Sequence, residues 1–253
     1  RRGALMLSIS VHHPQVMDFI KIKRDLKKVT GANISVRVSD EFMGAVKLGQ
    51  RYEQRWPVDA IEPEISNKDT YAQEVWNALI ESAHASAEPG VLFWDTAKRN
   101  TPSDIYEEQG FGSVSTNPCG EIILSPYDSC RLMLVNLTSF VQNAWTQEAY
   151  FEWGKFADIV QKAQRLMDDM IDLEIEQIDK IMAKIRRDPE PNNVKEVELS
   201  LWHKIRQAAG VGRRTGLGIT GLGDCIAMLN QQYGDPLSIE TTEEIYKWLA
   251  LNS

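Results

Sequence analysis

The chain has 253 residues, 43% of them hydrophobic and 25% charged, which is the composition of a chain that folds around a core. Its 28 basic and 36 acidic residues leave a net charge of −8; this excludes the broad basic face of a nucleic-acid coat, while one local basic patch can still hold a phosphorylated small molecule. No apolar run reaches the roughly 18 residues that a membrane-spanning helix needs, and three cysteines without a CxxC pair argue against a disulfide framework or a structural zinc and for a reducing cytoplasm.

In chain order, residues 4–11 (ALMLSISV) form a buried strand by their apolar run, ended by His12-His13-Pro14. Residues 14–24 carry Val16, Phe19, Ile20 and Ile22 at helical spacing. A basic cluster follows, with Lys21, Lys23, Arg24, Lys27 and Lys28 diluted only by Asp25, and Gly31 breaks the chain. Residues 33–38 (NISVRV) alternate as a strand does, and Ser39-Asp40-Glu41 supplies side-chain oxygens for a helix start. A stripe of Val75, Trp76, Leu79, Ile80 and Ala83 predicts a helix over 69–87, stopped by Pro89-Gly90 and followed by a short strand, VLFW, at 91–94. Residues 101–115 read as a polar loop, and 122–124 and 132–137 as further strands. Phe156, Ile159, Val160, Ala163, Met167, Met170 and Ile171 predict a strong amphipathic helix whose stripe runs on through Ile175, Ile178, Met182 and Ile185. The six acidic residues between Asp168 and Asp179 read as its solvated face. Residues 189–193 form a loop, 199–209 a helix and 217–219 a strand. Strands thus alternate with helices, which predicts an α/β fold with largely parallel strands. The chain opens on Arg1-Arg2-Gly3 without a methionine and stops at Ser253 inside an amphipathic pattern, so it reads as an internal piece of a longer protein.

The most specific segment is Asn117-Pro118-Cys119-Gly120-Glu121. Proline fixes one backbone angle and glycine permits an angle that other residues avoid, so Cys119 sits on a shaped turn. An amide and a carboxylate flank it two residues away on either side; the first can orient a hydroxyl and the second can take a proton from one. The residues alone leave two readings open: a reactive cysteine with a polar escort, or a tight turn around a small buried thiol. Cys130 follows eleven residues later, within reach of a hairpin-like return. Cys225 sits at the start of an apolar helix and reads as core. Gly216-Leu217-Gly218-Ile219-Thr220-Gly221 matches the dinucleotide fingerprint G-x-G-x-x-G, but a polar loop rather than a strand precedes it, so close strand–helix packing is the better reading. His12 and His13, adjacent on a strand, would face opposite ways and are a poor metal pair.

The turn, together with Pro126-Tyr127-Asp128-Ser129-Cys130 and Val135-Asn136-Leu137, resembles the catalytic large chain of ribonucleotide reductases. It is most similar to the adenosylcobalamin-dependent class II, on the Pro-Cys-Gly wording and the short spacing from Cys119 to Cys130. Segments 1–4, 33–36, 89–93, 95–96, 166–169 and 213–218 also resemble family segments in the same order. The resemblance implies part of a ten-stranded α/β barrel, truncated at both ends over residues 1–253, with a central finger loop that carries the reactive Cys119. It implies that Cys119 becomes the thiyl radical that removes the ribose 3′-hydrogen. Glu121 would act as base on the 3′-hydroxyl, and Thr116, Asn117 and Gly120 would bind the substrate. Cys130 would be one of the two reducing thiols. A radical step does not require the lowered thiol pKa of a cysteine nucleophile, and the disulfide it produces is reset by thiol–disulfide exchange. The basic connection with Lys27, Lys28 and Gly31 corresponds to a loop that responds to a deoxynucleotide effector; a solvated charge run is the plain alternative.

The same resemblance implies adenosylcobalamin as cofactor, a ribonucleotide substrate, a thioredoxin- or glutaredoxin-like reductant, a homodimer of the full-length protein and a cytoplasmic location. The partner thiol of Cys130, the substrate phosphate-binding turn and the re-reducing carboxy-terminal segment would lie outside this chain. Competing readings are a class I large subunit, a hydrolase using Cys119 with His84 or His203, and a non-catalytic nucleotide-binding regulatory fragment built on the basic connection.

Overall fold

The computed structural model describes residues 3–129 and 131–253; Arg1, Arg2 and Cys130 lie outside the described residues. Two compact units divide the chain, Arg1–Pro126 and Tyr127–Ser253.

In the first unit the apolar run near the start becomes β1 (Met6–Ser10), followed by α1 (Val16–Lys21), a 3₁₀ turn over Ile22–Arg24 and the basic connection. Then come β2 (Asn33–Val38) and α2 (Asp40–Leu48). Ser39 caps α2 as its sequence position predicts: its hydroxyl accepts from the Phe42 N–H at 3.1 Å. A hairpin of β3 (Arg51–Trp56) and β4 (Ile65–Tyr71) comes next, so the following helix, α3 (Ala72–Ser86), starts three residues later than its stripe predicts. The unit continues with β5 (Gly90–Phe93) and α4 (Trp94–Asn100), and ends on β6 (Ser115–Thr116) and β7 (Ile123–Leu124). Residues 102–109, expected as loop, form 3₁₀ turns that Gly110 closes with φ +90°.

Strands β1, β2 and β5 form a parallel sheet in the order β1-β2-β5, with Ser8 opposite Ser35 and Val36 opposite Val91. Alternation along β2 gives its two faces different work. Val36 and Val38 join the core with Val16 and Ile20 of α1, Phe42 of α2 and Val75 and Leu79 of α3. Asn33, Ser35 and Arg37 point to the opposite face. His12, placed in the turn after β1, is buried and contributes structure: one ring nitrogen lies 2.8 Å from the Glu53 carbonyl and the other 2.7 Å from the Ser39 hydroxyl.

In the second unit β8 (Leu132–Asn136) leads through β9 (Val141–Gln142) and β10 (Tyr150–Phe151) into α5 (Trp153–Arg187), α6 (Asn192–Gly212), β11 (Gly216–Thr220), α7 (Leu222–Met228) and α8 (Pro236–Asn252). The stripe on α5 does continue, with Ile178, Met182 and Ile185 buried to the end of a 35-residue helix. β11 pairs in parallel with β8, Gly218 opposite Leu134. The glycines of the fingerprint are ladder residues. A Cβ at Gly216 would stand 2.9 Å from the Arg131 carbonyl, and one at Gly218 3.0 Å from the Leu134 side chain; the motif serves close packing, as the sequence suggests. Phe140, Phe151 and Phe156 form the centre of the core, with Phe156 5.3 Å and 5.4 Å from the other two rings.

The acidic run on α5 is not simply solvated. Arg213, at the left-handed cap of α6 with φ 41°, donates to Asp168 and Asp172 at 2.8 Å each. Arg206 donates to both oxygens of Asp179 at 2.7 and 3.1 Å. Arg131 donates to Glu174 at 2.6 Å. Their partners lie 27 to 45 residues away in sequence, beyond any local pattern. Among the described residues the fold is therefore mixed α/β, with three parallel ladders in two sheets and three antiparallel ladders, and none of these sheets closes on itself.

Candidate active site

The two-residue ladder of β6 and β7 sets Ser115 opposite Leu124 and Thr116 opposite Ile123, and so frames a loop from 117 to 122. Asn117 organises it. Its N–H donates to the Ile122 carbonyl at 3.1 Å, its side-chain oxygen accepts from the Ile122 N–H at 3.0 Å, and its carbonyl accepts from the Gly120 N–H at 3.0 Å. That last bond closes a four-residue turn with proline second and glycine fourth, the positions these residues favour. Gly120 adopts φ +83°, which a side chain would resist. Thr116 is buried, and its hydroxyl donates to the Asn117 carbonyl at 3.0 Å.

At the tip of this turn Cys119 is exposed and not in a disulfide. Glu121 is exposed too, and among the described residues its carboxylate has no ion-pair or hydrogen-bond partner. The structure therefore gathers Thr116, Asn117, Cys119, Gly120 and Glu121 on one short turn. The oxygen of the Asn117 amide is spent inside the loop, which leaves its NH₂ as the group able to meet a ligand. Of the two sequence readings of Cys119, the small buried thiol is not observed, because the side chain is exposed. Cys225 is the opposite case: it is wholly buried, and burial pushes its thiol up to about 11.

The loop lies on the polar face of the β1-β2-β5 sheet. Ser8 and Ser115 hydroxyls meet at 3.4 Å. Arg37 donates to the Val114 carbonyl at 3.2 Å while its guanidinium stacks 5.0 Å from the Trp94 ring centre. Burial lowers the pKa of that guanidinium, opposed by the charge of Asp59. The side-chain amide of Asn33 donates to the Pro118 carbonyl at 2.6 Å.

The basic connection divides in two. Lys23 is engaged by the Ala32 carbonyl and the Glu88 carboxylate, and Arg24 donates to the Ser82 hydroxyl at 2.9 Å. Lys27 and Lys28 are exposed; the Lys28 ammonium sits 4.0 Å from Asp25. Gly31 has open space where a Cβ would stand. His84 is exposed on α3, and among the described residues it makes no hydrogen bond to Cys119; His203 is exposed on α6. No group of three or more His, Cys, Asp or Glu gathers among the described residues, and none of their helices is long and apolar enough to cross a membrane.

An exposed cysteine on a Pro-Cys-Gly turn, laid over a parallel sheet, carries the resemblance into geometry. All of residues 1–253 match the family described as ribonucleotide reductase, barrel domain. The chain belongs to that family. It is similar to the vitamin B12-dependent ribonucleoside-diphosphate reductase of Thermoplasma acidophilum, with 30% identity over 253 residues, 98% of this chain and 28% of that protein. The protein of the same name from Mycobacterium tuberculosis is 30% identical over 239 residues, 92% of this chain and 28% of its own length. The chain thus spans about 28% of the curated relatives it matches. Among solved structures it is similar to the class Id ribonucleotide reductase alpha subunit of Actinobacillus ureae, with a TM-score of 0.63 and 18% identity over 98% of this chain and 39% of that one. At that identity the likeness concerns the fold.

For a ribonucleotide reductase barrel domain, the α/β class read from the alternation of elements is the right one. Cys130 lies outside the described residues, so its expected role stays with the sequence. Sequence reasoning gave Asn33 no part in the site, although the alternation of NISVRV already places it on a polar strand face with Ser35 and Arg37. A polar face on a strand buried on its other side is a signal that something polar lies against it.

Proposed function

We propose that the chain is the central catalytic segment of an adenosylcobalamin-dependent ribonucleotide reductase. The observation that carries this reading is the exposed Cys119 on its Asn117-organised turn, beside the exposed carboxylate of Glu121. The described residues fit the cofactor at one point: the Cys119 thiol is open to approach by a radical generator. When bound, adenosylcobalamin supplies a homolytic cleavage that allows a hydrogen atom to be taken from that thiol. No described side chain is assigned to the corrin ring.

The reaction takes a ribonucleotide and two thiols to a deoxyribonucleotide, a disulfide and water. Cys119 removes the 3′-hydrogen and returns it at the end. Glu121 accepts the proton of the 3′-hydroxyl, while the Asn117 amide, Thr116 and Gly120 hold the sugar. The C2′–O bond breaks and its oxygen leaves as water. Cys130 and a second thiol from elsewhere in the full-length protein give up two electrons and join as a disulfide, which an external dithiol such as a thioredoxin- or glutaredoxin-like protein reduces. In the full-length protein the three parallel ladders belong to one ten-stranded barrel around the finger loop. Lys27, Lys28 and Gly31 answer to a deoxynucleotide effector, and the enzyme works as a homodimer in the cytoplasm.

The test is ribonucleotide reduction by the full-length protein with a dithiol, with and without adenosylcobalamin, for wild type and Cys119→Ser. The expected result is cobalamin-dependent deoxynucleotide formation that the substitution abolishes. Activity that needs a metal-bearing second subunit instead would move the protein to class I. A folded protein inactive under both conditions would overturn the reading.

A further inference from the structure

Three side chains of the sheet reach the reactive loop, and they do not reach the same part of it. Ser8 and Arg37 tie Ser115 and Val114, in the strand that leads into the turn. Among the described residues, the hydrogen bond from the sheet to the tip itself is that of Asn33, whose amide donates to the Pro118 carbonyl at 2.6 Å. That carbonyl belongs to the peptide whose nitrogen is the nitrogen of Cys119. We propose that Asn33 is a positioning residue for Cys119, fixing the sulfur against the sheet through the Pro118–Cys119 peptide. The inference rests on the reading of Cys119 as the hydrogen-abstracting sulfur.

Asn33 is a firm support. Its own N–H donates to the Leu5 carbonyl at 2.7 Å, and it stands opposite Met6 in the parallel ladder. The next N–H, that of Ile34, donates to the Glu88 carboxylate at 3.0 Å, which also pairs with Lys23. The bonds within the turn close it on itself but do not attach it to anything. At Gly120, among the described residues, a Cβ would meet the Leu92 side chain of β5 at 3.9 Å, a van der Waals contact without direction. Without Asn33 the tip would swing about its base at β6 and β7, a ladder of two residues per strand. Transfer of a hydrogen atom between sulfur and a sugar carbon depends steeply on approach geometry, and a misplacement of about 1 Å can cost on the order of a hundredfold in rate.

The experiment uses the full-length protein with Asn33→Ala and Asn33→Gln, the second keeping the donor on a longer arm. For Asn33→Ala the expected kcat falls about tenfold with KM changed by less than about twofold. Amide-exchange protection at Gly120 and Ile122 falls while that of Val36 and Val38 in β2 holds. Asn33→Gln recovers part of both. The proposal is overturned if Asn33→Ala keeps the wild-type kcat, or loses kcat with no change at Gly120 and Ile122. It is equally overturned if protection is lost throughout β2, since the role would then be structural. Exchange is read without turnover, so a wild type that reduces no ribonucleotide would sink the proposed function while exchange still decides whether Asn33 fixes the turn.

Discussion

The two units solve the same problem, a parallel strand pair with a long connection, by different physical means. In the first, β1 reaches β2 through one short helix and a basic connection, and the polar side of the sheet is held to its loop by hydrogen bonds from Ser8, Asn33 and the Arg37 guanidinium to a hydroxyl and two backbone carbonyls, with no carboxylate among them. In the second, β8 reaches β11 through two long helices that are tied to each other by arginine–carboxylate pairs, Arg213 to Asp168 and Asp172 and Arg206 to Asp179, while Arg131, just before β8, pairs with Glu174 of α5. Hydrogen bonds to neutral acceptors respond little to salt and to mild acid; exposed pairs with carboxylates respond to both. The comparison teaches that the contacts of the reactive turn should be less sensitive to salt and acid than those between the long helices; elsewhere the first unit carries ion pairs of its own, Lys23 with Glu88 and Arg99 with Asp40.

Four measurements break or sharpen that contrast. The largest effect belongs to the cores. Phe156→Ala empties the middle of the aromatic cluster, and Phe42→Ala removes a ring wholly buried 4.9 Å from Tyr52 in the other unit. Each should cost about 3–5 kcal/mol by denaturant unfolding of the full-length protein. Loss of exchange protection should be confined to the unit that carries the substitution; equal loss in both would mean one cooperative body and no contrast.

Next come the glycines of β11. Gly216→Ala places a methyl 2.9 Å from the Arg131 carbonyl, backbone that cannot step aside, and should destabilise by about 1–3 kcal/mol. Gly31→Ala, with nothing within 4 Å, should stay within about 0.5 kcal/mol. A neutral Gly216→Ala would show that the ladder can open.

The third measurement is acid titration. Hydrogen bonding from Arg213 holds the Asp168 carboxyl below its ordinary 3.8. A carboxyl lowered in the folded chain stabilises above 3.8, and the contribution is lost as pH falls through the folded value. Arg213→Ala should therefore flatten the acid limb of unfolding in the second unit and leave the first unchanged. An unchanged limb would remove the pair from the account. The smallest perturbation is chemical labelling at neutral pH: Cys119 should alkylate in the native protein, and Cys225, buried and pushed up to about 11, only after unfolding.

Much of this was readable from the residues. The alternation of NISVRV, the Ser39 cap and the stripe on α5 each follow from a local period or a single side-chain oxygen, and each is where the pattern puts it. So is the shaped turn around Cys119. The hairpin was not readable, because β4 is exposed along nearly its whole length and its Ser66-Asn67-Lys68-Asp69 run has no apolar period; pairing with β3 alone makes it a strand. The start of α6 at Asn192 was missed for a similar reason, since Ala209 is the buried residue of that helix. Within the site, sequence names the turn but not what it rests on. Asn33 lies 85 residues from Pro118, and only the fold brings them together.

The length of α5 has a practical consequence. At about 1.5 Å per residue its 35 residues make a rod about 50 Å long, with α6 running alongside and an exposed turn of Pro189, Glu190 and Pro191 at the far end. Exposed polar turns between ordered helices accept added chain readily. A fluorescent or affinity tag placed there would report on the orientation of the whole domain, far from the glycine ladder at the other end of the crossover.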